Sequence, residues 1–280
     1  MKIALMTVFS HRRGMAGFFS LVLGLSVCAG ADQSQLDPHQ KTLAPGAKAA
    51  DVFRILCIGD SITLHGCNAD TKARLGWDHV AGMAATDQSK DYAHLLAAKI
   101  QAVFPARRVE LYFDTFGGSG SVRQRLMSID QVKRVEPDLV VVQLGEHEKE
   151  ADGTGRLTDD YERLLTAFSG QAKPPMVIAT GVWSLSRQVK DSAGHYGYAG
   201  WAATIDKVFS RVCAKLGVPF VPVNAVALNP ACRGWGTVPG VRWHPNDRGH
   251  AGYADLIFAA FVAKMNGSDH GRLAASAGTP

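Results

Sequence analysis

From residue 52 onward the chain alternates short apolar runs with longer stretches whose apolar residues recur three and four positions apart. Val52-Phe-Arg-Ile-Leu-Cys-Ile58 has the length and composition of a strand covered on both faces. Over 91–103, Tyr92, Leu95, Leu96, Ile100 and Val103 share one helical face. A strand is predicted at 109–113 and a helix at 122–135. Leu139-Val-Val-Val-Gln-Leu144 is the strongest strand signal in the chain. A helix over 157–168, a strand over 176–180, a helix over 200–216, a strand over 219–223 and a last helix over 246–265 complete the pattern. Parallel strands need crossover connections, so five strands alternating with helices predict an α/β chain with a five-stranded, mostly parallel, doubly wound sheet. Such sheets bind ligands outside the carboxyl ends of their strands. The residues that follow each strand are therefore the candidates for chemistry.

The first 31 residues break this pattern. Lys2, His11, Arg12 and Arg13 precede an apolar run over 15–27, and Ala29-Gly30-Ala31 follows. A basic start, a short apolar middle and a small-residue end predict a secretory signal peptide over 1–31. The expected order is that leader, a polar linker over 32–52, one domain over 53–266 and a disordered tail over 267–280. The mature chain is expected in the periplasm or secreted, with no stable membrane insertion after cleavage. The 280 residues, 46% hydrophobic and 20% charged, suit one compact domain. With the three leader cations set aside, the formal charge of +5 falls to +2. No basic patch interleaved with aromatics occurs, so no nucleic-acid partner is expected.

Export also bears on the cysteines. Four follow the leader: Cys57, Cys67, Cys213 and Cys232. Cys57 lies inside a predicted strand and reads as a small core residue. Cys67 and Cys232 fall in loops near the candidate chemistry and are the expected disulfide pair. No Cys-x-x-Cys or paired-histidine spacing is present, so no metal site is expected.

Four strand-end segments carry possible chemistry. Gly59-Asp60-Ser61-Ile62-Thr63 puts a serine on a tight turn, where it is either a nucleophile or a plain helix N-cap. Phe116-Gly117-Gly118-Ser119-Gly120-Ser121 offers backbone N–H groups that glycine leaves accessible. Gly145-Glu146-His147-Glu148 places a histidine where it could reach across the sheet edge. Trp243-His244-Pro245-Asn246 opens the last helix, with Pro245 in its first turn and His244 just outside. A loop histidine there is either a general base or without chemistry. His250, inside the helix, reads as structural.

Taken together, these blocks resemble those of the SGNH (GDSL-type) hydrolases in order and placement, over roughly residues 53–265. The resemblance implies a flavodoxin-like three-layer α/β/α fold, no cofactor, Ser61 as nucleophile and His244 as its base. It also implies an oxyanion hole built from the Ser61 N–H, the Gly120 N–H and the side chain at position 147. Two positions depart from the family. His147 stands where the family has asparagine, and Val241 where it has the aspartate that orients the histidine. A backbone carbonyl or a carboxylate from elsewhere must then orient His244.

The stretch from Gly76-Trp77 to Asp91-Tyr92 is similar to one in exported bacterial SGNH proteins of carbohydrate-esterase type. Trp77, Trp183 and Trp235 fall in loops at the carboxyl edge, where their rings either stack on sugars or pack within the loops; Asp60, Trp77, Trp183 and Trp243 are the expected substrate contacts. The expected substrate is an O-acetyl group on a polysaccharide or smaller glycan ester. Three other readings stay open: a lipid esterase or lysophospholipase, a carbohydrate-binding protein with weak catalysis, and acyl transfer between glycans by the same residues.

Overall fold

The computed structural model describes residues 46–183, 185–190, 196–198 and 200–276. The predicted leader over 1–31 and most of the linker lie outside the described residues. The strands are β1 (Val52–Ile58), β2 (Arg108–Asp114), β3 (Leu139–Val142), β4 (Met176–Thr180), a hairpin of β5 (Leu185–Lys190) and β6 (Tyr196–Tyr198), and β7 (Phe220–Val221). Five of them form one sheet in the order β2-β1-β3-β4-β7, and every pairing in it is parallel. β1 is central and buried at all seven positions. Ile55 pairs with Leu111 on one side and with Leu139 on the other.

The helices are α1 (Ala69–Leu75), α2 (Tyr92–Val103), α3 (Val122–Val132), α4 (Thr154–Thr166), α5 (Gly200–Leu216), α6 (Asn224–Leu228), α7 (Pro239–Trp243) and α8 (Asp247–Ser276). Successive strand residues point to opposite faces, and each face has its own core. Ile55, Cys57, Leu139 and Val141 pack with Tyr92, Leu96 and Ile100 of α2 and Tyr253, Ile257 and Phe261 of α8. Leu56, Ile58, Val140 and Val142 pack with Val122 of α3, Tyr161 of α4 and Phe209 of α5. Two helices on one face and three on the other make the expected three-layer α/β/α arrangement.

The predicted elements at 176–180 and 200–216 coincide with β4 and α5. β3 stops two residues early: Gln143 N–H still bonds the Ile58 carbonyl at 2.9 Å, but pairing with β4 ends at Val142. α8 reaches Ser276, so residues 267–276 of the expected disordered tail are helical. Extending an existing helix avoids the nucleation cost that such a polar segment could not meet alone. Pro245 precedes α8 rather than opening it. Asn246 caps that helix, its Oδ1 accepting the Gly249 N–H at 3.0 Å. The Cys67–Cys232 bridge is not formed. All four cysteines are thiols, and Cys232 is buried in the core shared by α2 and α8.

Candidate active site

The turn after β1 is built by Asp60. Its carbonyl accepts the N–H groups of Thr63 and Leu64, both at 3.0 Å, and its Oδ1 accepts the Ile62 N–H at 3.0 Å. Ser61 sits at the corner of that turn. No helix starts there; the next one, α1, is capped by Asn68, which removes the N-cap reading of Ser61. Ser61 Oγ lies 2.7 Å from His244 Nε2. These two residues are 183 positions apart in sequence, and the fold brings them together at the sheet's carboxyl edge.

His244 follows the short helix α7, and its Nδ1 lies 2.6 Å from the Gly240 carbonyl. A carbonyl only accepts, so Nδ1 carries the proton and Nε2 offers its lone pair to the serine hydroxyl. Val241, at the position of the family's aspartate, is buried in the core. The orienting group is thus one of the carbonyls that a helix end leaves unpaired. Both reacting residues are nearly enclosed, with Ser61 8% and His244 7% exposed.

The loop after β2 closes against this turn. A Cβ on Gly118, at φ +107°, would lie 2.6 Å from His65 Cδ2 and 3.2 Å from Ser61 Cα. Gly120 has φ +119°. Neither the Ser61 N–H nor the Gly120 N–H donates to a protein acceptor among the described residues. Unused backbone donors near an attacking oxygen are what a developing oxyanion needs. The His147 side chain is 41% exposed, and its Nε2 stands 4.0 Å from Asp60 Oδ2, beyond hydrogen-bonding distance.

A carboxyl pair lies beneath the nucleophile. Asp60 is fully buried, and its charge acts on the neighbouring Glu146 carboxyl. Glu146 Oε1 accepts the Trp183 N–H at 2.7 Å, and its Oε2 accepts from Gln143 Nε2 at 3.0 Å. Neighbouring buried carboxyls oppose each other's ionisation. Burial first, and then the Asp60 charge, raise the Glu146 pKa well above the usual carboxylate range. An exposed glutamate loses its proton near pH 4.5. Above that value the unfolded chain binds fewer protons than the folded one, so this group's contribution to stability falls as pH rises. Glu146→Gln should flatten the decline of stability between about pH 5 and 8 in urea titrations. An unchanged slope would mean that Glu146 does not hold the proton.

The expected sugar contacts are only partly where they were expected. Trp77 and Trp183 are both 0% exposed and cannot stack on a ligand. Trp77 packs against His79 and Trp235, with ring centroids 4.1 and 6.4 Å away. Trp183 packs on Tyr253 and donates its Nε1–H to the Trp243 carbonyl at 2.7 Å. Trp77 joins Ala81, Met83 and Ala85 in a small core of the loop after β1, while Trp183 belongs to the core shared by α2 and α8. Asp60, also buried, shapes the turn instead of meeting substrate. Trp243 remains half-buried, its ring 4.9 Å from that of His244, and Trp235 keeps 36% of its surface exposed.

Sequence reasoning did not single out Gly240, Glu146, Gln143, His65 or Arg125. His65 is held neutral by burial, which lowers its pKa, and its Nδ1 meets the Gly66 carbonyl at 2.6 Å. Arg125 did leave a signal. It shares the buried face of α3 with Val122, Ser128 and Val132, where a cation is out of place.

A model of the GDSL-like lipase/acylhydrolase family matches residues 57–251. No curated protein sequence matches the chain. Among solved structures, the acetyl xylan esterase AlAXEase superposes with a TM-score of 0.51 at 15% identity, covering 74% of this chain and 99% of that one. The acetylxylan esterase Axe2 from Geobacillus stearothermophilus gives 0.48 at 19% identity, covering 74% and 93%. The esterase EstA from Pseudoalteromonas sp. gives 0.48 at 15%, covering 76% and 98%. At such identities the likeness is one of fold. The family match spans more than half of the chain, from β1 into α8, and so the chain belongs to the GDSL-like lipase/acylhydrolase (SGNH) family of serine esterases.

Proposed function

We propose that this esterase removes O-acetyl groups from carbohydrate, using a Ser61–His244 dyad oriented by the Gly240 carbonyl. The observation that carries the reading is the 2.7 Å contact between Ser61 Oγ and His244 Nε2. As Ser61 Oγ attacks the ester carbonyl carbon, its proton passes to Nε2. The carbonyl oxygen becomes an anion facing the N–H groups of Ser61 and Gly120. Collapse breaks the bond to the sugar oxygen, which leaves as the alcohol with the proton from Nε2. Water then repeats the sequence on the acetyl-enzyme, releasing acetate and restoring Ser61. The imidazolium formed midway is stabilised by the Gly240 carbonyl dipole in place of a carboxylate.

A short acyl group fits the crowding at the nucleophile. The His65 ring and the Gly118 backbone stand on one side, and the Trp243 ring stands by His244. The leader predicted over 1–31 supports export, where glycans are the abundant esters. A pocket that cannot yield loses about 1–3 kcal/mol per unaccommodated methylene. Acetyl should therefore exceed octanoyl by at least about tenfold in kcat/KM across a p-nitrophenyl ester series. Acetate release from an acetylated oligosaccharide should require Ser61. A preference for octanoyl would overturn the acetyl assignment and favour a lipid substrate.

A further inference from the structure

Arg125 projects from α3 with a fully buried side chain. Its Nη2 lies within hydrogen-bonding distance of three main-chain carbonyls, Gly59 at 2.8 Å, Thr115 at 2.9 Å and Ser119, which share its two N–H groups. Gly59 opens the turn that carries Ser61. Thr115 and Ser119 bracket the loop that delivers Gly120. The same nitrogen would lie 2.9 Å from a Cβ at Gly120. The Phe116 ring covers the guanidinium, with its centroid 4.6 Å from Cζ, and Phe116 itself is held at φ +46°.

The two N–H groups without protein acceptors sit on these two separate segments. Their spacing therefore depends on whatever ties the segments together. Gly59 N–H reaches the Asp114 carbonyl at 3.1 Å, but that bond lies at the strand end, before the loop diverges. Past it, the Gly66 N–H reaches the Gly117 carbonyl at 3.4 Å, and among the described residues Arg125 is the side chain that holds Gly59, Thr115 and Ser119 together. Stability is a poor account of the residue. Its Nε and Nη1 have no hydrogen-bond partner, and Asp114 Oδ1 stands 3.9 Å from Nη1. A buried cation with unpaired donors costs more than an apolar side chain of the same volume.

We infer that Arg125 is a positioning residue of the esterase, setting the distance between the Ser61 and Gly120 N–H groups through the three carbonyls it holds. Its buried positive charge adds to the field at the oxyanion, because low-dielectric surroundings screen it little. The inference rests on the Ser61–His244 reading and goes beyond it.

The test compares Arg125→Met and Arg125→Lys with the unsubstituted enzyme. The readouts are kcat and KM on p-nitrophenyl acetate, affinity for phenylboronic acid and melting temperature. Phenylboronic acid adds to the serine as a tetrahedral anion, so it reports the oxyanion hole rather than ground-state binding. For Arg125→Met, kcat should fall on the order of 10²–10³-fold, the effect of losing one oxyanion donor. KM should stay within about twofold while boronate affinity falls in parallel with kcat. Arg125→Lys keeps the charge and three N–H donors on a shorter reach, and should recover at least about tenfold of the loss. Unchanged kcat and boronate affinity in Arg125→Met, with only a lower melting temperature, would overturn the inference. If Arg125→Met does not fold, Arg125→Gln, which removes the charge and shortens the reach, decides: a parallel drop in kcat and boronate affinity supports the inference, and unsubstituted values overturn it. Absence of Ser61-dependent hydrolysis in the unsubstituted enzyme would remove the functional reading, and this inference with it.

Discussion

Ser61→Ala should lower kcat on p-nitrophenyl acetate by on the order of 10⁴–10⁶-fold, as loss of the nucleophile does in serine hydrolases. The fold should survive. Ser61 Oγ makes a single side-chain hydrogen bond, to His244 Nε2, and losing one such bond changes stability by about 0.5–1.5 kcal/mol. His244→Ala should cost a similar factor. The double substitution should cost little more, because nucleophile and base act as one unit. A phosphonate ester should label Ser61 in the unsubstituted enzyme and label nothing in His244→Ala, since the serine is inert without its base. If Ser61→Ala kept more than a few per cent of the activity, another nucleophile would have to be sought.

The second large effect belongs to Gly120. An alanine there meets two obstacles. Its φ of +119° lies outside the range of L-residues, and its Cβ would press on Arg125 Nη2 at 2.9 Å. That backbone conformation alone costs a non-glycine residue about 1–3 kcal/mol, so the loop must shift and take the N–H with it. Gly120→Ala should therefore reduce kcat on the order of 10²–10³-fold, with little change in KM. Gly117→Ala is the control. It carries a positive φ of +71°, but nothing lies within 4 Å of its Cβ. It should lose some stability and little activity. Equal kcat in Gly120→Ala and the unsubstituted enzyme would take Gly120 out of the oxyanion hole.

Much of this architecture was legible from local pattern. β1 and β3 are apolar runs because both faces of a central parallel strand are covered, and that requirement is written into consecutive residues. α5 was legible because its apolar positions keep helical spacing over its whole length. Ser61 and His244 were legible as candidates for a different reason. Local pattern left each with a reading free of chemistry, and it was the resemblance of the Gly-Asp-Ser and His-Pro-Asn blocks to SGNH hydrolases that pointed to nucleophile and base.

What stayed hidden was set by contacts between distant segments. Gly240 orients His244 through a carbonyl that every residue possesses, so no side-chain signal could mark it. Nothing in the run Gly145-Glu146-His147-Glu148 marked Glu146 as buried, and it is burial first, with the Asp60 charge second, that raises its pKa. Trp77 and Trp183 lie in loops, where exposure is the ordinary expectation; tertiary packing buried both, Trp77 in a core of its own loop and Trp183 in the core under α2 and α8. The sequence by itself determined the layered α/β frame, since periodicity is a local property, and its resemblance to a family marked Ser61 and His244 as the candidate pair. Only the tertiary structure decided what orients the histidine, which carboxyl holds the proton and which cation ties the two loops, since each depends on which atoms the fold brings within 3 Å or so of one another.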